Sequence, residues 1–159
     1  MTRHPVRAAL AVIALVVAMT PLLTTPANAY DGSPCHTPVN RTLSWNGYTY
    51  PNTTTKYCPL TSGTIPVYEW SSTSAPVVGY LVGGDSRNWF INQKKSNYAA
   101  RGQYWNTHWA STMADNGRYG WVPEIYFRGG NNDEADRGLL WQGSWTCWNS
   151  CNNIPPWGR

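Results

Sequence analysis

Residues 103–122 read QYWNTHWASTMADNGRYGWV. The stretch has no helical period. Trp105, Thr107 and Trp109 fall on one face of a two-residue repeat, and Tyr104 and His108 fall on the other. Asp115-Asn116-Gly117 then interrupts the run. Asn-Gly tolerates positive φ at both central positions of a tight turn, so the stretch predicts a hairpin. One strand runs over residues 103–114 and its return over 118–122.

The flanking sequence extends the pattern. Residues 65–70 predict a strand, and Pro66 marks it as an edge because it cannot donate to a ladder. A loop over 71–76 leads to a strand over 77–82, closed by Gly83-Gly84-Asp85. Residues 88–93 predict a third strand, with Trp89 and Ile91 on one face and Phe90 on the other. Residues 94–102 read as a polar loop, and 129–138 as a polar, acidic one. Residues 139–148 allow one more strand, followed by an extended tail. Residues 30–63, rich in Thr, Asn, Pro and Gly, allow one short hairpin over 42–50. Short strands at this spacing indicate an all-β fold, a small barrel or sandwich.

The Gly120-Trp-Val-Pro-Glu-Ile-Tyr-Phe127 segment resembles the Gly-Trp-x-Pro-x-x-Tyr segment of SH3 domains. Ser71-Ser-Thr-Ser-Ala-Pro-Val-Val-Gly79, Asn88-Trp-Phe-Ile-Asn-Gln93 and Trp109 to Trp121 resemble successive elements of bacterial SH3-like domains. The whole chain looks like the small secreted SH3-like proteins of actinobacterial type. The resemblance covers about residues 65–127. It implies a small SH3-like β-barrel, with a 3₁₀ turn over 123–126 between the last two strands. The chain is expected to divide into four parts: a signal peptide (1–29), an N-terminal flank (30–63), the barrel (64–128) and a C-terminal flank (129–159), both flanks irregular and disulfide-stapled. In signalling SH3 domains the matching Trp, Pro and Tyr line a groove for polyproline helices. Carried over, these are Trp121, Pro123 and Tyr126. The first strand lacks the Ala-Leu-Tyr-Asp-like segment of the other groove wall, which favours core and turn roles for Trp121 and Tyr126.

The first 29 residues read as an export signal. Arg3 and Arg7 precede an apolar run over residues 8–19, and Ala27-Asn28-Ala29 fits a small-residue cleavage site. The run is shorter than the roughly twenty residues that span a bilayer. No Trp, Tyr, Phe, Asp or Glu occurs in this segment, so all 10 Trp, 10 Tyr and 2 Phe lie beyond it. Ten basic and eight acidic residues remain there, a net charge of +2. Leu, Ile, Val and Phe are only 17 of those 130 residues. Such a fraction points to disorder when charge is high. Here charge is low and Trp and Tyr supply large apolar area, which excludes a disordered chain, a coiled coil and a multi-pass membrane protein.

All four cysteines, Cys35, Cys58, Cys147 and Cys151, lie beyond the signal. An even count in an exported chain indicates disulfides. Pairing within each flank, Cys35–Cys58 and Cys147–Cys151, is favoured; the alternative staples the flanks together. The Cys147–Cys151 spacing does not match a zinc knuckle, so neither metal nor cofactor is expected.

No nucleophile elbow or phosphate loop is present. His108 is a candidate base without a placed nucleophile and reads as a surface or barrel-side histidine. Asp133, Glu134 and Asp136 read as a solvated acidic loop. The chain is therefore expected not to be an enzyme. The expected function is a secreted, monomeric binding module for cell-wall peptide or glycan, or another extracytoplasmic peptide. Its expected ligand face comprises Tyr104, Trp109, Trp121, Pro123 and Tyr126. A secreted inhibitor or effector of a partner protein is the alternative, and a small cell-wall hydrolase a weaker one. A net +2 with scattered Arg supplies no basic groove, which argues against nucleic acid. No membrane contact is expected once the signal is cleaved.

Overall fold

An antiparallel hairpin opens the described chain, and a short strand paired parallel to an earlier one closes it. The structure is a computed structural model and describes residues 35–84 and 87–142. The signal segment, Cys147 and Cys151 lie outside those residues.

β1 (Pro38–Trp45) and β2 (Tyr48–Tyr57) form the first hairpin. Its turn is Asn46-Gly47, with φ of 50° and 80°. Positive φ at both central residues matches the right-handed twist of the strands. The N-terminal flank, expected to be irregular, is therefore a long hairpin over this range. Its Thr-rich strands lack the apolar alternation that marks a strand in sequence. They are held by backbone pairing and by hydroxyl groups such as Thr55 Oγ1, which donates to Val39 O at 2.8 Å.

β3 (Gly63–Tyr68) and β4 (Val77–Gly83) form the next hairpin. Pro66 lies opposite Tyr80, and β3 meets its second neighbour only through Tyr68. The chain then enters β5 (Trp89–Phe90), β6 (Asn92–Arg101), β7 (Tyr104–Met113) and β8 (Tyr119–Pro123). A 3₁₀ turn follows at Glu124–Tyr126, then a Leu60–Phe127 bridge and a short β9 (Leu140–Trp141). β2 pairs β5, giving a sheet ordered β1-β2-β5. The second sheet is ordered β4-β3-β8-β7-β6-β9. The fold of the described residues is all-β in two sheets, and no pairing among them closes a barrel.

The residues expected to be a polar loop over 94–102 form most of β6. Only Ala99 in this part of the strand is buried among apolar neighbours. The pairing comes instead from β7, with a register shift between Lys95 and Ala99. The Asn-Gly hairpin forms by another route than expected. Gly117 alone has positive φ, at 82°. Its N–H donates to Ala114 O at 2.9 Å, and Ala114 N–H donates to Arg118 O at 2.8 Å. That is a three-residue loop with the glycine in the left-handed position.

Three apolar clusters hold the sheets together. The largest joins Leu60, Ile65, Val67, Leu81, Phe90, Val122 and Phe127 with Cys35 and Cys58. These two cysteines form a buried disulfide across 23 residues, tying the start of β1 to the end of β2. A second joins Leu43 of β1 to Ile91, with Tyr50, Trp89 and Tyr119 against them. The third joins Ala99, Trp109 and Trp121. Trp89 and Ile91 thus serve one cluster and Phe90 another, as the two-residue period predicts. β8 approaches β3 so closely at Gly120 that an added Cβ would lie 2.8 Å from Val67 Cγ1 and collide with the Tyr68 carbonyl.

Candidate functional site

β7 outruns its neighbour β8. β8 pairs with residues from Trp109 onward, so the first half of β7 has a free edge. The 129–141 segment covers that edge. Asp133 N–H donates to Trp105 O at 3.1 Å. Trp105 N–H donates to Asn132 Oδ1 at 3.0 Å, and Thr107 N–H to Asp133 Oδ1 at 3.1 Å. The Thr107 hydroxyl also donates to Asp133 Oδ1, and Asn106 Nδ2 to Glu134 O at 2.9 Å. A side-chain carboxylate here completes a backbone ladder.

Asp136 anchors the far end of this segment. It is 4% exposed. Its Oδ1 accepts the N–H groups of Gly138 and Leu139, at 2.6 and 3.2 Å, and its Oδ2 accepts Cys35 N–H at 3.1 Å. Its own N–H donates to Glu124 Oε2 at 2.9 Å. The acidic loop expected to be solvated is therefore partly interior, because its carboxylates satisfy buried backbone donors. Glu124 is buried, and Glu124 Oε1 has no hydrogen-bond partner. Burial pushes its pKa up to about 8, against the Asp136 N–H, which lowers it, and with the Asp136 carboxyl, which adds to the rise, so the neutral form is favoured.

Between this segment and the sheet lies an open cleft of about 480 Å³, lined by Gln93, His108, Asp133, Glu134, Arg137 and Trp141 among others. His108 is 6% exposed, so of the expected surface or barrel-side positions the surface one is corrected. It faces inward because it shares a β7 face with buried Asn106 and Ala110. Its Nδ1 lies 2.8 Å from Asn106 Oδ1 and 3.8 Å from Asp133 Oδ1. Asn106 Oδ1 is fixed as an acceptor, because it takes the His108 N–H at 2.8 Å while Nδ2 donates to Glu134 O. The ring proton therefore sits on Nδ1, and Nε2 carries the lone pair. Burial lowers the His108 pKa; Asp133 opposes this and Lys95 adds to it. The ring meets Trp141 edge-to-face at 5.7 Å, and Trp141 is 49% exposed.

The carboxylates at the rim are matched. Lys95 Nζ lies 3.5 Å from Asp133 Oδ2, and Arg137 Nη2 lies 3.4 Å from Glu134 Oε1. Hydrogen bonds from Thr107 hold the Asp133 carboxyl below its usual pKa, and those from Asn131 do the same for Glu134.

The residues predicted from sequence as a ligand face lie elsewhere. Trp109 and Trp121 are buried in one cluster, at 0% and 2% exposure, and Pro123 is buried. The Trp109 indole donates to Asn97 O at 2.6 Å, and Lys94 Nζ covers the Trp121 ring at 4.0 Å. Tyr126 is half-buried under Arg101, 5.1 Å from its ring. Only Tyr104 is exposed, at the solvent end of β7. These five do not form one exposed surface, because the strand face that presents the two indoles is an interior face. Gln93 and Trp141 were not singled out by sequence; a glutamine in a polar stretch and one tryptophan among ten carry no distinguishing signal.

No family model matches the chain, and no curated protein and no solved structure matches it.

Proposed function

We propose that the chain is an exported, non-catalytic binding module that takes an extracytoplasmic peptide or glycan of the cell-wall kind in the cleft beside His108. The observation that carries this reading is the cleft itself, where a neutral histidine with an available lone pair stands next to a half-exposed indole. Ligand sites of this kind combine an aromatic surface with a few oriented polar groups. A binding rather than catalytic role is supported by how fully the carboxylates are committed: Asp133 and Asp136 to backbone N–H groups, Glu134 to Asn131 and Arg137.

Export is supported by the basic-then-apolar leader with its Ala27-Asn28-Ala29 site, and by the Cys35–Cys58 disulfide, a bond that persists in oxidising compartments. An SH3-like barrel is the finer reading of the fold. It is supported by the β6-β7-β8 meander, the Glu124–Tyr126 turn directly after β8, and the Leu60–Phe127 bridge that follows. The test is co-sedimentation of the purified protein with purified cell-wall sacculi. Retention that is lost in Trp141→Ala supports the reading; no retention of the parent protein refutes wall binding.

A further inference from the structure

Two acceptor atoms of the cleft have no donor among the described residues. Gln93 lines the cleft and is 1% exposed. Its Nε2 donates to the carbonyls of Asp136 and of Leu139, the latter at 2.9 Å. Its Oε1 is buried without a hydrogen-bond partner. His108 Nε2 is the second such atom, since the ring proton is held at Nδ1 by Asn106 Oδ1; unlike Gln93 Oε1, it is not fully buried. A buried acceptor left unpaired costs about 1–3 kcal/mol; of the two only Gln93 Oε1 is buried, so a ligand donor that reaches it relieves that penalty.

The chemistry of that ligand follows from three features together. Both unpartnered atoms accept, so the ligand donates at this wall. The rim carboxylates are already matched by Lys95 and Arg137, so there is little net charge to attract an ion. The neighbouring Trp141 presents a flat apolar surface. A peptide backbone brings as many acceptors as donors. A pyranose ring brings adjacent hydroxyl donors on its edge and a C–H face that packs on an indole.

Resting on the binding-module reading above, we infer that the cleft is a saccharide site. One neutral pyranose ring lies against Trp141 while its hydroxyl groups donate to His108 Nε2 and Gln93 Oε1.

Isothermal titration of the full chain separates the outcomes. The probes are chitotetraose and cellotetraose, both neutral, and the stem pentapeptide L-Ala-D-Glu-L-Lys-D-Ala-D-Ala. The expected result is saturable binding of at least one oligosaccharide at pH 7.5, weakened tenfold or more in Trp141→Ala. Trp141 is half exposed, so this variant is expected to keep the parent's thermal midpoint. His108→Phe, which removes the acceptor and keeps a ring, is expected to weaken binding to a similar degree. Binding of the peptide alone overturns the saccharide assignment and leaves the binding-module reading standing. Oligosaccharide binding that both variants leave unchanged also overturns the assignment. Absence of binding by all three probes overturns both.

Discussion

Glu124 Oε2 takes the Asp136 N–H, and its carboxyl lies in a setting that favours the neutral form. Its folded pKa, about 8, lies above the ordinary glutamate value of 4.5. A raised acid contributes stability that is complete below the unfolded pKa and lost as pH rises through the folded one. The lost contribution over that window is on the order of 4–5 kcal/mol, from about 1.4 kcal/mol per pKa unit. Glu124→Gln cannot ionise but buries an amide that needs donors satisfied. The variant should therefore be less stable than the parent at pH 5 and more stable at pH 9, as measured by urea unfolding. Parallel pH curves would contradict this account of Glu124. His108 has the opposite sign. Its pKa is lowered from 6.5, so the folded state resists protonation, and stability should fall as pH drops below about 6.5. The groups that bear on its ring are Asp133 and Lys95, and burial outweighs the carboxylate. Ring NMR titration should place the His108 midpoint below that of an exposed histidine. A midpoint above 6.5 would show that Asp133 dominates.

Single elements carry the site through edges and close approaches. The free half of β7 is finished by Asn132 and Asp133 rather than by a strand. Asp133→Ala removes the acceptor for both the Thr107 N–H and the Thr107 hydroxyl. Hydrogen exchange of Thr107 should accelerate markedly while the β7–β8 amides stay protected; uniform exchange across β7 would contradict the capping role. Gly120 sets the β3–β8 spacing. Gly120→Ala should lower stability by about 1–3 kcal/mol, the usual cost of overpacking, in thermal or urea unfolding. At this scale the sequence was most legible where apolar alternation was strong. β3, β4, β7, β8 and the turn after β8 lie within a few residues of their expected places. Phe90 and its neighbours also split between faces as expected. β2 and β6 were not legible as full strands, because Thr, Lys, Ser and Asn fill their outward positions and their pairing is dictated by partners distant in sequence. The two-residue period puts Trp109 on one face with Trp105 but does not say which face is interior, and Trp109, expected on the ligand face, is buried. Its burial followed from the packing of Trp121 and Ala99, which a single-strand period does not encode.

For the whole molecule the question raised by composition was where 22 aromatic side chains go. The N-terminal hairpin answers part of it. Arg41 of β1 lies over the Trp89 ring at 4.8 Å, and Trp45 meets Tyr119 edge-on at 6.0 Å. The flank therefore covers rings that the second sheet alone would leave open. Another part remains at the surface, including Trp70, Tyr80, Tyr98, Tyr104 and Trp141. Of these, Trp141 has an inward-facing histidine and a cleft beside it. The disulfide locks the hairpin to the main cluster. Cys35→Ala with Cys58→Ala should cost about 3 kcal/mol, the chain-entropy value for a loop of this length. It should also loosen the 129–141 segment, since Cys35 N–H is held by Asp136.

The proposed binding role requires that ligand enter the cleft between β7 and the 129–141 segment. A chemical-shift map of the isotope-labelled protein, titrated with solubilised cell-wall fragments, reads that entry residue by residue. The predicted result is a saturable set of shifts confined to Gln93, His108, residues 133–139 and the Trp141 indole. Shifts gathered instead on the exposed face of β4, at Tyr80 and Val82, with His108 and Trp141 unmoved, would contradict it.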